Sequence, residues 1–198
     1  MILVITGGTG CGKTTLLNVI REQGGLVLDC DAIYHSLLQT DNGMLSAIKV
    51  RFPEAFEDGH LNRKKLGAIV FADPAALTAL NKITHGAVKQ EVIRQIAVWD
   101  ALAAIDAIAL FEGGLAELCD ITIAVTAPLE DRVVRLMARD GISEEYARRR
   151  IAAQKSEGWF RQKCDFVLEN NADVESFSRK CIAFLRSEGI IDDRKPNT

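Results

Sequence analysis

Short runs of consecutive apolar residues alternate along the chain with longer stretches in which apolar residues recur every three or four positions. The runs are Ile2 to Thr6, Leu26 to Leu28, Ile105 to Phe111 and Ile121 to Val125, with a weaker one at Phe166 to Leu168. Their length and β-branched content suit buried strands. Leu16, Leu17 and Ile20, and later Val88, Val92, Ile96 and Trp99, keep helical spacing between them. Strands alternating with helices predict parallel pairing and an α/β layer fold. From Ala32 to Asp100 no strand pattern is visible, so this segment reads as a helical insertion after the second strand. Within it Asp58-Gly59 marks a turn, and Asn62 is placed to cap a helix. The stretch from Arg135 to Lys163 is rich in Arg and Lys and predicts helices facing solvent or ligand. Val174 to Leu185 predicts a closing helix, and the polar end Asp192 to Thr198 is expected to fray.

With 198 residues and 48% hydrophobic content, the chain can bury one core. Its 24 basic and 27 acidic residues leave a net charge of -3, so no broad basic field is available for a nucleic-acid backbone or an anionic membrane. Phosphate binding must therefore be local. Cys11, Cys30, Cys119, Cys164 and Cys181 are odd in number and include no C-x-x-C pair, which argues against a disulfide framework or a zinc site. The chain enters Ile2-Leu3-Val4-Ile5 directly after Met1, with no basic leader and no apolar stretch long enough for a bilayer. The expectation is a cytoplasmic enzyme.

Gly7-Gly8-Thr9-Gly10-Cys11-Gly12-Lys13-Thr14 satisfies G-x-x-x-x-G-K-[ST] between a predicted strand and a predicted amphipathic helix. The glycines let backbone N–H groups turn inward around a phosphate, and the helix adds the positive end of its dipole. Lys13 is positioned to reach the β- and γ-phosphates, and the Thr14 hydroxyl to ligate Mg²⁺. A merely solvated lysine on a Gly-rich turn is disfavoured, because motif, strand and helix agree. The loop predicts nucleotide binding without separating a kinase from a GTPase or a motor ATPase.

Asp29 and Asp31 flank the end of the second strand, where open parallel sheets gather ligand-binding groups. Asp31 could take the proton of an attacking hydroxyl or hold a metal through water. Equally, Asp29 or Asp31 could cap the next helix. Spacing leaves both readings open.

Taken together, Thr6 to Thr15 and Asp29-Cys30-Asp31 resemble the dephospho-coenzyme A kinase family, with its T-G-G-x-G-S-G-K-S-T and D-A-D. Further collinear matches are Asp58 to Leu66 with Val70-Phe71, Ile83-Thr84-His85, Leu110-Phe111-Glu112, Arg135 to Asp140, Arg150 to Gln154, and Asp165 to Asn170. The resemblance implies a P-loop NTPase fold with a five-stranded parallel sheet flanked by helices, as one domain over 1–198. In it the core spans 1–31, 101–134 and 164–190, a helical acceptor-binding insertion spans 32–100, and a mobile lid spans 135–163. It also implies transfer of the ATP γ-phosphate to the ribose 3′-hydroxyl of dephospho-coenzyme A, with ATP and Mg²⁺ as cofactors. Gly8, Thr9, Gly10, Cys11, Gly12, Lys13, Thr14, Thr15, Gln154 and Asn170 would then bind nucleotide, with Thr14 on the metal. Asp31, Lys13 and Arg139 would be catalytic, and Asp31, Arg63, His85 and Glu112 would bind the acceptor. Each carries a plainer alternative: Arg139 a solvated charge beside Asp140, His85 helix packing, Glu112 a cap, and Gln154 and Asn170 surface polar residues or caps.

The chain departs from the family pattern in several places. Cys11 replaces Ser, Gly86 and Ile108 stand where Pro is usual, Lys155-Ser156 replaces Met-Pro, and Phe160 replaces Lys. Alternative readings are another small-metabolite kinase of nucleoside monophosphate, shikimate or gluconate type, and a P-loop regulatory NTPase, for which no N-K-x-D segment is present. The expected partner is a small molecule, with no nucleic acid and no membrane, and the expected state a monomer or weak homo-oligomer.

Overall fold

The computed structural model describes residues 1–107 and 114–192. Along the chain run β1 (Ile2–Thr6), α1 (Lys13–Glu22), β2 (Leu26–Asp29), α2 (Cys30–Thr40), α3 (Asn42–Arg51), a hairpin of β3 (Phe56–Glu57) and β4 (His60–Leu61), and then α4 (Arg63–Ala72) and α5 (Pro74–Ile96). There follow β5 (Ala103–Asp106), β6 (Ile121–Thr126), α6 (Leu129–Asp140), α7 (Glu144–Ala152), α8 (Glu157–Lys163), β7 (Phe166–Glu169) and α9 (Val174–Ser187). These form two compact units: one holds Met1–Leu28 and most of the chain after Trp99, and the other is built chiefly from Asp29–Val98.

The first unit contains the five-stranded sheet, in the order β2-β5-β1-β6-β7. β1 is central and pairs in parallel with both β5 and β6. Buried on both faces, Leu3, Val4 and Ile5 are wholly inaccessible, which explains the unbroken apolar run at this point of the sequence. Leu16, Leu17 and Ile20 of α1 and Phe177, Cys181 and Leu185 of α9 complete one core with Leu3 and Ile5. Burying each large apolar side chain contributes about 1.5–3 kcal/mol.

The third strand of the sheet corrects the expectation. It is expected over Ile105 to Phe111, but it runs over Ala103–Asp106. Ala is poorly represented in strands, so Ala103-Ala104 did not read as one. Their backbone is nevertheless drawn into the sheet, the Ala103 N–H donating to Met1 O at 3.0 Å. Small side chains suit a strand held between two others. Ile108 to Phe111 lie outside the described residues.

The second unit is helical, as expected, around Met44, Ile48, Phe52, Leu66, Val70 and Leu80. It is not free of strands, however: Phe56 pairs with Leu61 and Glu57 with His60, antiparallel. Asp58 and Gly59 both have positive φ, 47° and 83°, as a two-residue type I′ turn requires. Strands of two residues carry too little alternation to be seen in a sequence. Asn62 caps α4 as expected, its side chain accepting the Lys65 N–H at 3.1 Å. Among the described residues, no helix is long and apolar enough to cross a membrane.

Candidate phosphate-binding site

β1 delivers the chain at Gly7, and the next residues must turn within one loop before α1 begins at Lys13. At Gly7 and Gly12 a side chain would collide outright. A Cβ on Gly7 (φ 134°) would lie 2.2 Å from Val125 O on β6, and one on Gly12 (φ 96°) would lie 2.3 Å from Asn170 Nδ2. Gly12 is also the N-cap of α1 and offers no side chain to the helix's first N–H groups. Those amides, with the positive end of the dipole, are left for an anion. Lys13 folds back over the loop, its ammonium donating to Gly7 O at 3.1 Å. Thr14 is exposed in the first turn of α1, and Thr15 is half-buried beside it.

The loop is held from outside by side chains far along the sequence. Gln154 Oε1 accepts the Thr9 N–H at 2.9 Å and also a hydrogen bond from Arg132 Nη2 at 2.9 Å. Arg132 Nε donates to Thr9 O at 2.9 Å, closing a three-residue network. Arg135, one turn further along α6, donates to Gly10 O at 3.3 Å and to Asn170 Oδ1 at 3.4 Å. Asn170, at the end of β7 and 5% exposed, donates from Nδ2 to Cys11 O at 2.9 Å. Gln154 and Asn170 thus meet the loop through its backbone.

Arg132 was not singled out from the sequence, and Arg135 entered only as the first residue of the match Arg135 to Asp140, with no role given to it. Their spacing, i and i+3 at the start of the helix that follows β6, was the available signal: one helix face aimed back at the sheet's C-terminal edge. Arg139, which the sequence singled out, lies at the end of α6. It forms a fork-like pair with Asp140 at 2.7 and 3.0 Å, and Arg150 also donates to Asp140 at 2.7 Å. The hydrogen bonds from Arg139, assisted by Arg150, hold the Asp140 carboxyl down at about 2.

Cys11 points into the protein and is 2% exposed. Burial pushes its thiol up, against the lowering effect of the Arg132 and Lys13 cations. It lines a small recess with Thr126, Lys155 and Phe160, where the buried Thr126 hydroxyl has no hydrogen-bond partner among the described residues.

On the carboxylates, the geometry separates the two readings left open. Asp29 is the cap of α2, its Oδ1 accepting the N–H groups of Asp31 and Ala32 at 2.9 and 3.0 Å. Asp31 is therefore not needed as a cap. It is exposed in the first turn of α2, and its carboxylate has no hydrogen bond or ion pair among the described residues. Asp106, missed because it fell inside the expected strand, ends β5 in register with Ile5, just before the phosphate loop. Glu112 lies outside the described residues. Arg63 is the first residue of α4 in the helical unit, where its cation offsets part of the upward push that burial gives the Tyr34 phenol. His85 is half-buried within α5. No cluster of three or more His, Cys, Asp or Glu side chains suited to a metal exists among the described residues.

A family model described as dephospho-CoA kinase matches residues 1–176. The chain is 36% identical over 186 residues to the dephospho-CoA kinase of Thermus thermophilus, covering 93% of this chain and 90% of the relative. The solved structure of TT1252 from Thermus thermophilus is similar with a TM-score of 0.79 at 36% identity, covering 94% of this chain and 97% of the other. A dephospho-CoA kinase structure from Campylobacter jejuni is similar with a TM-score of 0.69 at 25% identity, covering 94% and 96%.

Proposed function

Because this chain belongs to the dephospho-CoA kinase family, we propose that it transfers the γ-phosphate of ATP to the ribose 3′-hydroxyl of dephospho-CoA, giving CoA and ADP. The observation that carries the donor half is the uncapped start of α1 behind Gly12, with Lys13 folded over the loop. Phosphoryl transfer asks the protein mainly for positioning and charge stabilisation, because the transferring group spreads its charge over its oxygens. The loop's backbone amides receive the β-phosphate. Lys13 exchanges its contact with Gly7 O for the β- and γ-oxygens, and Thr9, Gly10 and Cys11 keep the loop's shape through their backbone bonds to Gln154, Arg135 and Asn170.

The Thr14 hydroxyl in the first turn of α1 and the Asp106 carboxylate at the end of β5 are hard oxygen donors of the kind Mg²⁺ takes beside water and phosphate oxygens. Mg²⁺ held there would neutralise charge on the donor's phosphates.

Asp31 accepts the proton of the 3′-hydroxyl as its oxygen forms a bond to the γ-phosphorus and the bond to ADP breaks. Support for this role is its exposed carboxylate, left unclaimed because Asp29 does the capping. Arg63 and His85, with Glu112, are assigned to the acceptor. Arg139 can serve the phosphates only after leaving Asp140, whereas Arg132 and Arg135 already stand on the loop. A reducing cytoplasm suits a chain whose five cysteines include no C-x-x-C pair.

The test is ADP release from MgATP in the presence of dephospho-CoA, AMP, shikimate or gluconate. The proposal expects release to depend on dephospho-CoA; turnover on one of the others alone would overturn it.

A further inference from the structure

The recess beside Cys11 is bounded by Gly8 of the phosphate loop, by Thr126 at the end of β6, and by Lys155 and Phe160 at the start of α8. It holds about 20 Å³, room for one atom of water size and for no larger ligand. Two polar groups around it are unclaimed among the described residues. The hydroxyl of Thr126, a residue 3% exposed, has no hydrogen-bond partner. The Lys155 ammonium makes no hydrogen bond or ion pair and rests on the Trp159 ring, 5.5 Å from its centre. The neighbouring charges are occupied: Arg132 by Thr9 O and Gln154, Lys13 by Gly7 O, and Glu157 by Arg161.

Lys155 and Phe160 both depart from the family pattern, which has Met at the first position and Lys at the second. Because the two face one recess, the departures amount to a single exchange: one lysine and one apolar side chain are kept, with their places traded. Phe160, 7% exposed, forms the buried wall and meets Trp159 edge-on at 5.3 Å, while Lys155 stands on the exposed side. Ser156, where the pattern has Pro, caps α8 by accepting the Trp159 N–H at 3.2 Å, so the helix starts just after the lysine. Gln154, the residue before it, is bonded to the Thr9 N–H. The backbone at Lys155 is thereby pinned beside the loop, and its flexible four-carbon stem has only the recess to span.

We propose that Lys155 is a second lysine of the donor site, leaving the Trp159 ring for the γ-phosphate of bound ATP. The inference rests on the donor half of the reading given under Proposed function. An ammonium on a phosphate oxygen makes a charge-assisted hydrogen bond, which outweighs its contact with a ring near solvent. Of its three N–H groups, one is accepted by the Thr126 hydroxyl, which removes the cost of burying that oxygen without a partner. ADP has no γ-phosphate, so Lys155 favours ATP over ADP.

Calorimetric titration of the full chain with MgADP, and with the magnesium complex of the β,γ-imido analogue of ATP, reads this contact without any acceptor. Lys155→Met is expected to lower the preference for the triphosphate over ADP about tenfold and to leave the melting temperature unchanged. Lys155→Met/Phe160→Lys, which returns the lysine to the family's position, is expected to restore the preference. Lys155→Arg keeps a cation in place and is expected to retain most of it, which supplies the comparison if Phe160→Lys misfolds. An unchanged preference in Lys155→Met would overturn the proposal, as would a loss that neither other variant repairs. If the unmodified chain bound neither nucleotide, the donor reading itself would fall, and the role of Lys155 with it.

Discussion

Gln154 and Thr9 lie 145 positions apart, yet the Gln154 amide oxygen accepts the Thr9 N–H at 2.9 Å. The same oxygen takes a hydrogen bond from Arg132, whose Nε is bonded to the Thr9 carbonyl. The phosphate loop is thereby held on one flank by polar atoms that do not need to touch the nucleotide. Gln154→Ala leaves the Thr9 amide without its partner and lets the loop sample other shapes. Such a variant is expected to raise KM for ATP about tenfold, by the cost of one charge-assisted network, with little change in thermal stability. Equal KM values in the two proteins would show that the network is idle.

At the other flank, Gly12 and Asn170 are packed so closely that a Cβ at Gly12 would meet Asn170 Nδ2 at 2.3 Å. Positive φ adds to the conflict. Gly12→Ala should destabilise the fold by about 1–3 kcal/mol and abolish saturable ATP binding, since Asn170 must leave the Cys11 carbonyl to make room. Thermal melts with and without MgATP read both effects. Removing Asn170 as well should restore only part of the stability, because the backbone strain remains.

Cys11 stands where the family pattern has Ser, yet its side chain turns inward and the loop binds phosphate through backbone groups. Burial keeps the thiol protonated at neutral pH. Cys11→Ser is expected to leave KM for ATP unchanged. Thiol reagents should react with Cys11 more slowly than with the half-buried Cys30, and mass spectrometry of partly labelled protein gives the order.

Asp140 binds Arg139 and Arg150, and its carboxyl titrates at about 2 instead of the ordinary 3.8. A depressed carboxyl contributes stability above the unfolded value, and that contribution disappears as pH falls through the folded value. The Asp140 share is therefore lost between roughly pH 4 and pH 2. Carboxyl NMR should place the Asp140 midpoint near 2, and Arg139→Gln should move it upward, since the Arg139 hydrogen bonds are the largest cause. An unmoved midpoint would assign the shift elsewhere.

How far the sequence reveals this protein differs by element. The phosphate loop was visible because its glycines, lysine and threonine occupy fixed offsets between a strand and a helix, and each offset has a backbone reason. The sheet was visible where Val, Ile and Leu form runs, as in β1 and β6. β5 was displaced because Ala103 and Ala104 owe their strand conformation to their neighbours and not to propensity, and the displacement hid Asp106. Whether Asp29 or Asp31 caps α2 could not be decided from spacing, since either can serve; the decision lies in which carboxylate turns back onto the Asp31 and Ala32 amides. The loop contacts of Arg132 and Arg135 stayed hidden, because contact with residues more than a hundred positions away leaves no local pattern.

Everything proposed for this chain turns on phosphate moving from ATP to one ribose hydroxyl. Phosphorus NMR can follow a reaction holding the purified chain, MgATP and dephospho-CoA. A new 3′-phosphomonoester signal should grow in step with ADP. Inorganic phosphate growing in its place, at a rate indifferent to dephospho-CoA, would rule that transfer out.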